Sequence, residues 1–485
     1  MEYKITRTIW ILFLLQTATI SHAKIKLPAV VSSNMVLQRN TTINLWGWAD
    51  PHEKITISTS WLDQPLKVEA NKYGRWQIVV KTTNSTTPQQ IRLVSENSDI
   101  LLDNILFGEV WVCSGQSNME QPLSGFEGQP TFGGQKAIMQ SANAQLRIFT
   151  VNRFGSKRPL DDLEKHISWQ EVTPQNLKDF SAVAYFFGKQ LQEILQVPVG
   201  LIHTSWGGST VEAWMSEPVL NSHREILLNQ SDRAPKFTQR TPSMLFNAMI
   251  HPIIPYTIQG VLWYQGESNL QYSKAYKSLF PAMVNDWRTR WGKGNFPFYY
   301  VQIAPYLYGS NDYYSPKDNS AYIREAQLHC LDSIPNSGMA VTLDIGSKFS
   351  IHPPKKREVA DRLLFLALNK TYGYTDIVAS APQYNSYFIE GDAIHITFKN
   401  TQKGFFVSDT LSGFEIAGED RVFFPAEAKI QKLHTIVVKS AAVPNPIAVR
   451  YAWRNWVEGS LLDTNLLPVS SFRTDTWDEA TFTND

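Results

Sequence analysis

Cysteine is nearly absent: Cys113 and Cys330 are the two in 485 residues. A disulfide framework is therefore excluded as the main source of stability, and with no Cys/His cluster at ligand spacing no metal site is expected. The two cysteines lie far apart in apolar or helical contexts, so two buried free thiols are expected, with a Cys113–Cys330 bridge as the alternative. An excess of one charge is also missing. The 45 basic and 44 acidic residues leave a formal charge of +1, so no field gathers nucleic acid or an anionic membrane. Beyond the N-terminus no apolar run reaches the ~20 residues that a spanning helix needs, and stable membrane insertion is not expected. Internal repeats and low-complexity segments are lacking too, and no motif specifies an oligomeric state. These absences favour small-molecule or neutral polymer substrates.

Aromatic residues are plentiful at 12%, with 15 Trp, which suits either a large core or a carbohydrate cleft lined by flat rings. The first residues combine the basic Lys4 and Arg7, the mostly apolar run Ile9 to Ile20 and the small-residue site Ser21-His22-Ala23. That order is expected of a secretory signal over 1–23, with maturation near Lys24 and a periplasmic or secreted product. An uncleaved anchor is the alternative. The length exceeds what one core usually supports, so several units are expected. Short alternating stretches such as Thr41 to Trp48 and Lys54 to Ser58, bounded by turn residues, predict an N-terminal β unit over 24–105. Apolar strands then alternate with helical runs: Glu109 to Cys113, a helix over Phe180 to Leu195, strands at Val197 to His203, Gly260 to Tyr264, Phe298 to Ile303 and Met339 to Leu343, and a helix over Arg357 to Leu368. This alternation predicts an α/β unit with a mainly parallel sheet over 106–375. Strand-like runs such as Ala393 to Phe398 and Thr435 to Lys439 predict a second β unit over 376–485.

The chemistry-bearing residues cluster where those strands end. Gly115-Gln116-Ser117-Asn118-Met119 directly follows an apolar strand, and the carboxyl ends of strands in open α/β sheets face the ligand crevice. A turn there also leaves N–H groups free to face a developing oxyanion. Ser205-Trp206-Gly207-Gly208-Ser209 brings paired glycines to a second strand end, and Trp263-Tyr264-Gln265-Gly266-Glu267-Ser268-Asn269 brings amides to a third. His352, in Ile351-His352-Pro353, follows the fourth. A histidine of near-neutral pKa accepts a serine proton and returns it to a leaving oxygen. Taken singly, each has a bland structural reading as a tight turn, a satisfied buried amide or a loop histidine. Together they set nucleophile, oxyanion donors and base at successive strand ends.

With Asn34-Met35-Val36-Leu37-Gln38-Arg39, Trp46-Gly47-Trp48, Arg324-Glu325-Ala326-Gln327, Gly413 to Gly418 and Phe472-Arg473-Thr474-Asp475 in the same order, the chain resembles the sialate O-acetylesterases over nearly all of its expected mature length. The resemblance implies a flavodoxin-like, SGNH-hydrolase three-layer α/β/α domain with accessory β-sandwich-like units at both ends. It implies Ser117 as nucleophile and His352 as general base. The implied oxyanion donors are Ser117, Gly208, Gln265 and Asn269, and the implied substrate contacts are Arg324, for a sugar carboxylate, and Glu267. No cofactor is implied. The substrate is an acetylated sugar or glycan, a sialate foremost, with acetylated xylan, mannan or pectin as alternatives. One departure stands out, because Ser350 occupies the position where the family usually has the aspartate of Asp-Ile-His-Pro. The expectations are a Ser–His dyad oriented by Ser350 or a backbone carbonyl, rescue by another acid such as Asp344, or weakened activity, ending in a noncatalytic carbohydrate-binding relative.

Overall fold

The computed structural model describes residues 24–223, 237–309, 319–407 and 410–477; the expected signal, 1–23, lies outside the described residues. At the centre is a sheet whose strands are β1 (Asp99–Gly115), β2 (Asn143–Thr150), β3 (Gln170–Val172), β4 (Val199–Ser205), β5 (Gly260–Tyr264), β6 (Phe298–Val301) and β7 (Ser337–Ala340). Their spatial order is β7-β6-β5-β1-β4-β2-β3. All neighbours run parallel except β3, which is antiparallel to β2. The run β4-β1-β5-β6-β7 has the 2-1-3-4-5 order of doubly wound sheets, with a switch point at β1. This is the mainly parallel α/β sheet that the alternation predicts.

Burial on both faces explains why these strands are continuously apolar. Trp111 and Cys113 point to one side, into a core with the helices α2 (Ala182–Leu195) and α5 (Lys356–Lys370). Val110 and Val112 point to the other, into a core with α3 (Ser273–Trp291) and α4 (Ala321–Ser333). Ser181 caps α2 by accepting the Ala184 N–H at 3.1 Å, and the same hydroxyl donates to the Met119 carbonyl at 2.6 Å. The cap thus fastens α2 to the short helix α1 (Ser117–Glu120) that follows β1.

The boundary expected at 105/106 falls inside a single strand. The first half of β1 pairs with Gln89–Val94 of the N-terminal β unit, while its second half pairs with β4 and β5. Continuous pairing on both sides of the boundary leaves no linker there. Two antiparallel four-stranded sheets make up the C-terminal region. Both cysteines are buried and free, Cys113 in β1 and Cys330 in α4, in line with the first of the two expectations. No helix among the described residues is long and apolar enough to cross a membrane.

Arg324 does not reach a ligand crevice. It is 0% exposed, and its guanidinium donates to Ser471 Oγ at 2.6 Å, Ser320 Oγ at 2.8 Å, and the carbonyls of Ala452 and Arg454 at 2.9 and 2.8 Å. It fastens α4 to the C-terminal region, so the expected contact with a sugar carboxylate is corrected. Arg324→Ala leaves those buried acceptors unpaired and is expected to lower stability by about 2–4 kcal/mol, read as a fall in the urea midpoint, with any loss of activity equal on acidic and neutral substrates.

Candidate active site

The ends of β1, β4 and β5 are in register, since Gly115 pairs with Ser205 on one side and Tyr264 on the other. Their loops therefore emerge side by side. Trp206 N–H donates to the Gly115 carbonyl at 3.1 Å, and Gln116 N–H to Tyr264 at 2.9 Å. Side chains continue the binding: Gln116 Oε1 accepts from the N–H groups of Gly266 and Ser268 at 3.2 and 3.3 Å. Ser117 follows as the first residue of α1, partly exposed. At a helix start the first N–H groups have no intrahelical acceptor, and the Ser117 N–H makes no hydrogen bond to any described residue. The same holds for the N–H of Gly208, which sits at φ +73° in the turn after β4; that left-handed conformation favours glycine.

Asn118 joins the serine block to the histidine block. Its Nδ2 donates to the Ile351 carbonyl at 3.0 Å and to Glu267 Oε1 at 2.6 Å, while Lys356 Nζ donates to its Oδ1 at 2.5 Å. Asn118, Glu267 and Lys356 are 1%, 2% and 0% exposed. One amide thereby connects the residue beside Ser117, the carbonyl before His352, a buried carboxylate from the β5 loop and a buried ammonium from α5. Burial raises the Glu267 carboxyl above its ordinary range. Burial also lowers Lys356 to about 7, against the opposing pull of Glu267. Isolated buried charges are expensive, and a cation and an anion bridged by an amide offset part of that penalty. Glu267 is thus engaged through Oε1 with Asn118, while its buried Oε2 has no partner among the described residues.

His352 is partly buried, and its Nδ1 meets Gln129 Oε1 at 2.5 Å. The carbonyl oxygen of an amide is an acceptor only, so the imidazole carries its proton on Nδ1 and presents the Nε2 lone pair. Gln129 comes from a tight turn in which Phe126 and Gln129 exchange backbone hydrogen bonds at 2.9 Å. The Phe126 ring stands edge-on to the imidazole, centroids 5.2 Å apart. Burial, with the nearby Lys356 ammonium second, lowers His352 to about 4.

Both suggested orienting residues are corrected by these contacts. Ser350 Oγ reaches Gln129 Oε1 at 3.3 Å and the His352 carbonyl at 3.0 Å, so it supports the orienting amide instead of touching the ring. Asp344 is held by both arms of Arg362 at 2.7 and 2.6 Å. The expected oxyanion amides are corrected as well. Gln265 Nε2 donates to the Ser209 carbonyl at 3.1 Å and to Asn269 Oδ1 at 2.7 Å, and Asn269 Nδ2 donates to Glu212 Oε2 at 3.0 Å. Both side chains are fully buried and brace the turn after β4, leaving Ser117 and Gly208 as the unpartnered donors of the predicted set. Gln129 was not anticipated: a search for acids passes over an amide, and the only local signal was the Gly/Pro-rich loop Gly125 to Pro130 just after α1. Among the described residues no group of His, Cys, Asp and Glu is arranged to hold a metal ion.

Residues 108–354 match the family model for carbohydrate esterases, sialic acid-specific acetylesterase. The sialate O-acetylesterase of Mus musculus is 30% identical, with 88% of this chain and 89% of that protein covered. The sialate O-acetylesterase of Homo sapiens is 32% identical, with 73% of this chain and 72% of that protein covered. A crystal structure of a carbohydrate acetylesterase from Xanthomonas citri has 34% identity and a TM-score of 0.84, covering 93% of this chain and 100% of that one. The chain belongs to the sialic acid-specific acetylesterase family of carbohydrate esterases, and as such it is an ester hydrolase of the carbohydrate O-acetylesterase class.

The Gln129 contact generates a paired expectation. Gln129→Ala frees the imidazole to rotate and is expected to lower kcat substantially, by less than the ~10⁴-fold seen when a protease loses its orienting acid, because a neutral amide adds no charge stabilisation. Gln129→Glu puts a carboxylate beside Nδ1, which favours the protonated ring, so the acid limb of the kcat/KM profile should move to higher pH. Unchanged kcat in the alanine variant and an unmoved limb in the glutamate variant would show that Gln129 does not orient His352.

Proposed function

We propose that the chain is an exported carbohydrate esterase that removes O-acetyl groups from sugars, a sialate foremost, through an acetyl-enzyme on Ser117 within an SGNH-type domain. The observation that carries this reading is the His352–Gln129 hydrogen bond. It supplies the orientation that the missing family aspartate would give, and it favours a working base over a noncatalytic relative.

In this mechanism His352 Nε2 takes the Ser117 hydroxyl proton as Oγ attacks the acetyl carbonyl. Negative charge develops on the carbonyl oxygen and is met by the N–H groups of Ser117 and Gly208, which have no protein acceptor to give up. Collapse expels the sugar alkoxide, which receives the proton from His352, and water then releases acetate by the same steps in reverse. No step calls on a metal or organic cofactor. Export is supported by the N-terminal sequence, and the sialate by the named relatives. Arg324, buried in the fold, gives no support to an acidic over a neutral sugar.

Two measurements test the reading. Acetate release from an aryl acetate, from 9-O-acetyl sialic acid and from acetylated xylan, comparing the protein with Ser117→Ala, should show activity lost in the variant and highest turnover on the sialate. Full activity of Ser117→Ala rejects the nucleophile, and preference for xylan moves the substrate to a neutral hemicellulose. The second is the pH profile. Only neutral His352 is a base, and since burial and Lys356 hold it near 4, kcat/KM should persist through the ordinary histidine range near 6.5 and fall only as pH approaches 4. An acid limb at 6.5 would contradict that assignment.

A further inference from the structure

Glu120, the last residue of α1, lies outside the mechanism above, yet its carboxylate touches the turn that the mechanism uses. Glu120 Oε2 accepts the Gly207 N–H at 2.6 Å. Its other oxygen is paired with the Arg153 guanidinium, which belongs to the segment after β2. In the sheet, β4 lies between β1 and β2, so this carboxylate leaves the β1 loop, passes over the end of β4 and meets a cation beyond it. The turn that carries Gly208 is thereby held from above by one ionic link between its two neighbours. Space is tight: a Cβ on Gly207 would stand 2.9 Å from Glu120 Oε2 and 3.2 Å from the Ser117 Cβ.

We propose that Glu120 and Arg153 are a positioning pair for the oxyanion turn, a role that rests on the reading of Ser117 as nucleophile and Gly208 as an oxyanion donor. Glu120 occupies the Gly207 N–H and so fixes which way the next peptide faces, directing the Gly208 N–H toward the reacting carbonyl. A bare carboxylate packed against the nucleophile would oppose the negative charge that develops in the transition state. Arg153 removes that opposition. Its side chain is about half exposed, 53%, whereas that of Glu120 is 10% exposed, so the pair carries its cation on the open side and its anion inside. Arg153 also lies near His203, whose burial, with Arg153 second, lowers it to about 4 and leaves it neutral; Glu120 is therefore the anion that Arg153 serves here.

The test is steady-state hydrolysis of an aryl acetate by four variants. Glu120→Ala loses both contacts and should drop kcat by about 10²-fold, the scale of losing one oxyanion donor, with KM nearly unchanged. Glu120→Gln keeps an acceptor for Gly207 and should lose much less. Arg153→Met leaves the carboxylate uncompensated and should fall below Glu120→Gln, and the double variant Arg153→Met with Glu120→Gln should recover activity relative to Arg153→Met alone. A purely structural pair would show no such recovery. The proposal is overturned if Glu120→Ala keeps kcat within twofold, or if the double variant is no better than Arg153→Met. Labelling with a fluorophosphonate, followed by mass spectrometry, separates this from the underlying reading. An adduct away from Ser117 overturns the nucleophile and the pair with it, whereas an adduct on Ser117 formed by Glu120→Ala at the wild-type rate overturns the positioning pair alone.

Discussion

A single carboxamide ties the Ser117 and His352 segments together. Asn118 uses both Nδ2 protons and its oxygen to connect three segments that are far apart in the chain: its own helix, the loop after β5, and the stretch from the peptide before His352 to the first turn of α5. Each of those segments hangs from a different strand or helix of the same sheet, so without the link each would be free to drift independently. Positional error of about 1 Å is enough to cost a reaction about two orders of magnitude. An asparagine suits the task because it both donates and accepts, which allows an anion and a cation to be buried on opposite ends of one neutral group.

Around this centre the polar side chains divide their work by burial. Gln116 and Gln265 are sealed inside and bond neighbouring backbone, while the equally buried Asn269 accepts the Val211 N–H and donates to the Glu212 carboxylate. The N–H groups of Ser117 and Gly208 are left without an acceptor among the described residues, the second in a turn that the Glu120 carboxylate touches through Gly207. The base side is different, because its orienting partner comes from a short turn near the surface. A neutral amide there fixes the tautomer of His352 without introducing a carboxylate. The local field on the imidazole is consequently set by burial and by Lys356, both of which favour the neutral ring.

Much of this was legible in the residues. The α/β alternation appears, though the strand expected at Glu109 to Cys113 is the end of the longer Asp99–Gly115, Met339 to Leu343 is observed as Ser337–Ala340, and Asn143–Thr150 was not expected; the helix expected over Phe180 to Leu195 is observed as Ala182–Leu195, starting where the Ser181 cap allows. The segments after β1, β4 and β5 emerge side by side because parallel strands with helical crossovers present their carboxyl ends together, and Asn118 ties the first of them to the peptide before His352. Direction of side chains was not legible. Arg324, Gln265, Asn269 and Glu267 occur in motifs beside the crevice, but inward or outward orientation depends on partners such as Ser471, Ser209, Glu212 and Asn118 that lie far away in sequence. Gln129 was hidden for a further reason, since its function depends on one contact across a turn and on no periodicity or charge pattern. At 105/106 the change of composition marks a change of neighbours, with no break in the strand.

That uninterrupted strand, Asp99–Gly115, has a consequence for how the protein is made. Its first half has its partner, Gln89–Val94, already synthesised, for that strand precedes it in the chain. Its second half must wait for Val199–Ser205 and then Gly260–Tyr264, a delay of about 4–18 s for the first and about 7–30 s for the second at about 5–20 residues per second. During that interval a small finished sheet extends an unpaired apolar edge directly into the nucleophile loop, the kind of edge that invites pairing with another chain. The N-terminal β unit is then a nursery for the active strand: it sets that strand's direction and twist early, and the later strands are added to a template already in place.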